Sequence, residues 1–352
     1  GNFVGTNTAL AAVGGATGQL VNLFVGFFIG LSSGCGVIIS QYYGARDQNA
    51  VSKSVHTALA FSLLSGVVIM VLGLLLTDFS LRALSLPEEI MPEATAYLRI
   101  FFLGMIPNLF YNMGAAVLRA IGDSKRPLYF LILSCLCNIV LDLIFVAYLR
   151  LGVSGAALAT ILSQLASAVM VLFVLLRTKS DVRLIPSQLR LEPFWLKKMI
   201  YVGLPAGLQS TMYTVSNIIV QATINSFGTN TIAAVTAYGK MDVIFWMVIN
   251  AFGIAITTFV GQNYGAGKTE RAFRGFRAAL LLAAIGTLLL SGIIWLFGMN
   301  FLLFFTKDPD VLAICNRLIH FVVPFFITYI PIEICSGTLR GMGNSWMPMI
   351  LT

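Results

Sequence analysis

The sequence predicts an all-α polytopic membrane protein built as two parallel six-helix lobes, related by a pseudo-two-fold axis along the membrane normal. Three observations carry this expectation. Of 352 residues, 58% are hydrophobic and 10% charged, with 26 Phe and 32 Gly, and the mean hydropathy is +0.90. Soluble domains carry about 25% charged residues, so this balance suits a chain whose solvent is lipid. The second observation is a series of apolar runs of bilayer length, and the third is an internal repeat whose copies are separated by an even number of those runs.

A helix needs about 20 residues to cross about 30 Å of hydrocarbon. Nine such spans are predicted in order, at 10–39, 54–77, 94–118, 127–148, 155–176, 200–226, 232–260, 272–298 and 312–338. Pro107, Pro205, Pro324 and Pro331 fall inside them and are read as kinks, because a proline ring removes a backbone bond and clashes with the carbonyl four residues earlier. Gly26, Gly30 and Gly34 repeat every four residues on one face of the first span, a pattern that permits close helix approach in a membrane.

Lysine and arginine accumulate on the cytoplasmic side of membrane proteins. Alternate loops carry Arg46 and Lys53; Arg119, Lys125 and Arg126; Arg177 to Lys198; and Lys268, Arg271 and Arg274. The intervening loops hold Arg82 among acids, Arg150 alone, and Lys307 beside Asp308 and Asp310. The net charge of +8 is thereby explained by topology, and nucleic acid is not expected as a partner.

The repeat joins SQYYGAR (Ser40 to Arg46) to GQNYGAG (Gly261 to Gly267), and LRAIGDSKRP (Leu118 to Pro127) to LRGMGNSWMP (Leu339 to Pro348), both at an offset of 221. GTNT at Gly5 recurs at Gly228, and AAV at Ala11 recurs at Ala233. Six spans separate the copies, so both lie on one side of the membrane and the lobes are parallel. The expected organisation is a first lobe at 1–176 lacking its first helix, a cytoplasmic linker at 177–198, and a second lobe at 199–352 lacking most of its last two helices. On this reading the chain is a nine-span fragment of a twelve-helix protein.

With AAVG (Ala11 to Gly14), GCGVIISQYYGARD (Gly34 to Asp47), LPAGLQS (Leu204 to Ser210), IAAVTAYGKMD (Ile232 to Asp242) and AITTFVGQNYGAG (Ala255 to Gly267), the chain resembles the multidrug and toxic compound extrusion (MATE) family, in its bacterial DNA-damage-inducible-type branch. That resemblance implies an antiporter that exports amphiphilic, mostly cationic compounds by alternating access, in exchange for sodium ions or protons. It also implies a multi-pass location in the bacterial inner (cell) membrane, a monomer, and no cofactor beyond the coupling ion. A lipid-linked precursor flippase of the same structural superfamily is the alternative. A major-facilitator-type transporter also has parallel halves, but it leaves the repeated Gln-x-Tyr-Gly-Ala unexplained.

Ionisable groups within spans are costly and mark cavities or partners. Asn138 and Asp142 are four residues apart and share a helical face; taken alone, they could simply satisfy each other. The resemblance implies a coupling-ion site there, with Thr160 on the next helix and sodium held at Asn138 and Asp142, or a proton carried by Asp142. The matching first-helix acid would precede residue 1. In the second lobe Lys240, Asp242 and Glu333 are the charged candidates for binding cargo, and Lys240 is a candidate ion-pair partner of either acid. Gln209, Tyr213 and Asn217 are candidate cavity-lining residues, in a stretch whose mixed aromatic and polar character suits modest binding of several amphiphiles.

No enzyme is expected and no catalytic residue is assigned. His56 and His320 are the only histidines, without the H-E-x-x-H spacing of a zinc site. The five cysteines lie in apolar runs and read as small packing residues. The opening GNFVGTNT shows no signal-peptide pattern.

Overall fold

The computed structural model describes residues 16–83 and 88–352, and every regular element among them is helical. In chain order these are α1 (Ala16–Gly44), α2 (Gln48–Ala83), α3 (Met91–Leu103), α4 (Met105–Ala120), α5 (Lys125–Asp142), α6 (Gly152–Arg177), α7 (Pro193–Asn225), α8 (Thr229–Gly265), α9 (Thr269–Leu302), α10 (Pro309–Val322), α11 (Phe326–Gly341) and α12 (Trp346–Leu351). The AAVG stretch, the first GTNT and the start of the first predicted span lie outside the described residues.

Among the described residues, seven helical spans are long and apolar enough to cross a bilayer, and the α3–α4 pair, bent by 48°, makes an eighth. The sequence predicts nine. The remaining one, α7, has the length at 33 residues, but Gln209, Ser210, Thr211, Thr214, Ser216 and Asn217 dilute its apolar character. The predicted kinks follow the chemistry of proline. Pro107 sits four residues after Leu103, where α3 ends, and Pro324 lies in the 3-10 turn Val323–Phe325 that separates α10 from α11. Pro205 and Pro331 are accommodated inside α7 and α11.

The chain divides into two compact units, Gly1–Thr211 and Met212–Thr352. In the first, the core gathers Ile39, Leu59, Met113, Leu118, Val171, Leu175 and Met199. Val182 and Leu184 of the 177–192 segment are buried in the same core, so this basic segment is docked. His56 clasps it: Nε2 accepts the Ile185 backbone N–H at 2.9 Å, while Nδ1 bonds the Ser52 carbonyl at 2.7 Å. Lys198 is held nearby, donating to the Tyr42 hydroxyl at 2.5 Å and lying 4.3 Å from the centre of the Phe194 ring. In the second unit, Phe245, Ile249, Ile256, Cys315, Ile319, Ile330 and Ile334 form the core. Outward residues such as Leu131, Leu136, Leu282 and Leu289 are more than half exposed, as suits helices whose outer faces meet hydrocarbon rather than water.

The Gly26, Gly30 and Gly34 stripe meets the N-terminal part of α7 within the first unit. A Cβ on Gly30 would stand 2.6 Å from the Ala206 backbone, and one on Gly34 would stand 2.2 Å from Gly203 Cα. Only glycine allows that approach.

The repeated motifs are helix-ending turns. Asp47 N–H bonds the Tyr42 carbonyl and Arg46 N–H that of Tyr43; 221 residues on, Lys268 bonds Asn263 and Gly267 bonds Tyr264. The second motif pair does the same, with Asp123 to Leu118 and Gly122 to Arg119 matched by Asn344 to Leu339 and Gly343 to Arg340. Each is a Schellman closure whose pivot takes a left-handed conformation. Asp123 and Asn344 then cap the following helix through their side chains, accepting from the backbone of Arg126 and Met347.

Candidate functional site

In the first unit, α5 and α6 run antiparallel and are pinned by Ser134, whose hydroxyl donates to the Ser163 carbonyl at 2.7 Å. One turn beyond Ser134 is Asn138, and about one turn before Ser163 is Thr160, so this register sets the two at the same level. Asp142 follows one turn further, level with Ala156. No hydrogen bond joins Asn138, Asp142 and Thr160; Thr160 donates to its own helix, to the Ala156 carbonyl at 2.9 Å.

The Asp142 carboxyl carries the notable feature of this region, because its Oδ1 is buried and has no hydrogen-bond partner. A buried polar atom left unpaired costs about 1–3 kcal/mol, more when charged. At Leu143 the α-helix gives way to a π-helical turn, Leu143–Tyr148, an irregularity that recurs at functional sites. Tyr97 on α3 lies close enough to interact electrostatically with Asp142. Sequence reasoning missed both features, and only the apolar setting of Tyr97 and its place on a span hinted at the second.

In the second unit the predicted acids belong to a chain of contacts across α8, α11 and the C-terminal half of α7. Trp246 Nε1 donates to Asp242 Oδ2 at 2.7 Å. The Trp246 ring meets Tyr329 edge to face at 4.8 Å, and Tyr329 hydrogen bonds to Tyr213 and neighbours Glu333. Glu333 packs directly over Gly253 and pairs with Arg340 at 3.1 Å, with side-chain exposures of 13% and 19%. Lys240 is exposed and pairs with neither acid. The expected Lys240 ion pair is therefore replaced: Glu333 reaches two turns along its own helix to Arg340, and Asp242 takes an indole N–H. Of the other candidates, Gln209 is 8% exposed, Tyr213 is 39% exposed and Asn217 is exposed. Trp246, Tyr329 and Arg340 were not singled out from sequence, although Arg340 sits in a repeated motif.

Long apolar spans, duplicated helix-ending turns and sparse polar groups between helices define a polytopic helical membrane protein. The MatE family profile matches residues 3–144 and 205–352, and the chain belongs to that family of multidrug efflux transporters. It is 30% identical to the "Probable multidrug resistance protein YpnP" of Bacillus subtilis (strain 168), over 100% of this chain and 78% of that one. It is 22% identical to a "FAD transporter" of Shewanella oneidensis, over 81% of this chain and 64% of that one. Among solved structures, one described as the "Outward-facing conformation of a multidrug resistance MATE family transporter of the MOP superfamily" superposes with a TM-score of 0.92 at 25% identity, covering 98% of this chain and 77% of that one.

Proposed function

We propose that this multi-pass membrane protein is a secondary antiporter of the cell membrane, acting as a monomer and exporting amphiphilic, mostly cationic compounds against an inward flow of sodium ions or protons. Its cargo is moved, not chemically changed, and it needs no cofactor beyond the coupling ion. The observation that carries the reading is the unpaired, buried oxygen of Asp142. A carboxylate in that setting gains more from a bound sodium ion or proton than one already satisfied by protein donors. Asn138 and Thr160, level with one another on α5 and α6, are the further oxygen ligands of the site. Ion binding shifts the transporter between conformations by its difference in affinity for them, and one of those conformations releases cargo.

Asp242, which takes only a neutral indole N–H, favours positively charged cargo, whereas Glu333 is already matched by Arg340. The name of the Shewanella oneidensis relative makes an anionic flavin nucleotide the natural counter-probe. The test uses full-length protein in proteoliposomes loaded with an organic cation. Sodium and proton gradients are imposed separately, and export is expected under at least one and under neither when both are collapsed. Export that persists without either gradient, or export of the flavin nucleotide alone, would overturn the reading.

A further inference from the structure

The chain leaving α6 turns back against the helix it has just left. Leu184 N–H donates to the Leu175 carbonyl at 2.9 Å, Arg183 N–H donates to the Ser180 carbonyl at 3.0 Å, and Val182 and Leu184 are buried in the first-unit core. Arg183 lies between those two anchors and is exposed, as are Arg177 at the end of α6 and Lys179 just beyond it. The three cations are therefore held at one helix end by backbone bonds and core contacts, not carried on a loose tether.

Their charge is not balanced within the protein. No ion pair among the described residues includes Arg177, Lys179 or Arg183, and Asp181, the single acid in the same turn, is partly buried. The neighbouring apolar groups indicate what lies outside. The Arg177 guanidinium stands 4.2 Å from the centre of the Phe173 ring, one turn back on α6, and that ring is exposed. On α7, exposed Phe194 and Tyr201 are seven residues apart, with exposed Lys197 between them on the same face. Aromatic rings beside snorkelling cations mark the headgroup level of a bilayer, and the charge bias of the loops assigns this end of the helices to the cytoplasmic leaflet.

We infer that Arg177, Lys179 and Arg183 bind the phosphate of an anionic lipid in the cytoplasmic leaflet, with Phe173 against the lipid below its headgroup. A guanidinium presents a planar fork of donors that matches phosphate oxygens, and an ammonium adds a point charge. A basic residue near an anionic membrane surface contributes about fivefold in affinity, the equivalent of about 1 kcal/mol. Holding the cations in place in advance lowers the ordering cost that a flexible basic linker would incur on binding. A soluble polyanion would account for the charges but not for exposed aromatic rings set beside them. The site is separate from the cargo and the coupling ion, so its failure leaves the role of Asp142 standing and the reverse also holds.

The experiment titrates the purified full chain, in a neutral detergent, with phosphatidylglycerol and with phosphatidylcholine of identical chains, and native mass spectrometry counts the bound lipid. Phosphatidylglycerol is expected to bind more tightly. Arg177→Gln, Lys179→Gln and Arg183→Gln should each weaken it about fivefold and leave phosphatidylcholine within about twofold. Lys268→Gln removes an exposed cation from the end of α8 in the second unit and should leave both lipids within about twofold. Equal binding of the two lipids by the wild type, or an equal loss of phosphatidylglycerol with Lys268→Gln, would overturn the proposal. Limited trypsin digestion of the wild type decides the matter if the variants do not fold. Phosphatidylglycerol should slow cleavage after Lys179 and Arg183 several-fold while phosphatidylcholine does not. Cleavage unchanged by phosphatidylglycerol, or slowed equally by free glycerol 3-phosphate, would overturn the lipid site.

Discussion

Arg46 and Gly267, 221 residues apart, occupy the same left-handed pivot of the same helix-ending turn, with φ of 58° and 69°. The repeat is written in backbone geometry more than in side-chain identity, since one copy pays for the turn with an arginine and the other uses glycine. An L-residue in this region costs about 1–2 kcal/mol. Arg46→Gly should therefore raise the stability of the detergent-purified protein by up to about 1 kcal/mol, after the entropy cost of glycine is deducted. Gly122→Ala and Gly343→Ala, at φ of 89° and 91°, should each lower it by about 1–2 kcal/mol. Thermal melting of the three variants checks the set, and a stabilising alanine at either glycine would contradict it.

The glycine stripe of α1 gives a second expectation. A methyl at Gly30 or Gly34 meets backbone rather than a movable side-chain end, so α1 and α7 must separate. Gly34→Ala is expected to cost about 1–3 kcal/mol and to lower the melting temperature. At Gly239 and Gly292 a Cβ would have nothing within 4 Å, and alanine at either should leave the melting temperature unchanged or slightly higher. Equal behaviour at the packed and open positions would contradict the packing argument.

The Glu333 and Arg340 pair should show the asymmetry of buried ions. Removing Arg340 alone, as Arg340→Gln, strands the carboxylate over Gly253 and should cost about 3 kcal/mol. Combining it with Glu333→Gln should recover most of that loss, because both charges are then gone. A double-mutant cycle in melting free energy measures the coupling, and additive single effects would show that the two groups act independently.

His56 should govern the docking of the 177–192 segment. With His56→Ala the Ile185 N–H loses its acceptor; Ile185 is 37% exposed, so water can replace the imidazole and the cost is about 1 kcal/mol. Trypsin cleavage at Arg183 and Arg190 is expected to accelerate in the variant, with the rest of the chain protected. Unchanged cleavage would mean that burial of Val182 and Leu184 holds the segment without the histidine.

Much of this architecture is legible in the sequence, because lipid imposes simple rules. Apolar length locates the spans, proline locates the breaks near Leu103 and Val322, and the repeat reveals the duplication. Charge is less legible. Lys240 lies two residues from Asp242 and looked available to either acid, yet helical geometry points it elsewhere and Arg340, two turns from Glu333, is the partner. The polar content of α7 is legible in QSTMYTVSNIIVQ, yet its cost to the apolar length of that span is not anticipated. The π-helical turn after Asp142 has no marker in LIFVAY. Tyr97 could be connected to Asp142 only once α3 and α5 were set in space.

The coupling role of Asp142 is the central claim, and gradient-driven export by Asp142→Asn addresses it most directly. Wild type and variant are reconstituted at equal density, and cation efflux is followed under a sodium gradient, a proton gradient and neither, with equilibrium cargo binding measured in parallel. The expected result is loss of gradient-driven efflux in the variant, with melting behaviour and much of the cargo affinity retained. Undiminished sodium- or proton-driven efflux by Asp142→Asn would contradict the account.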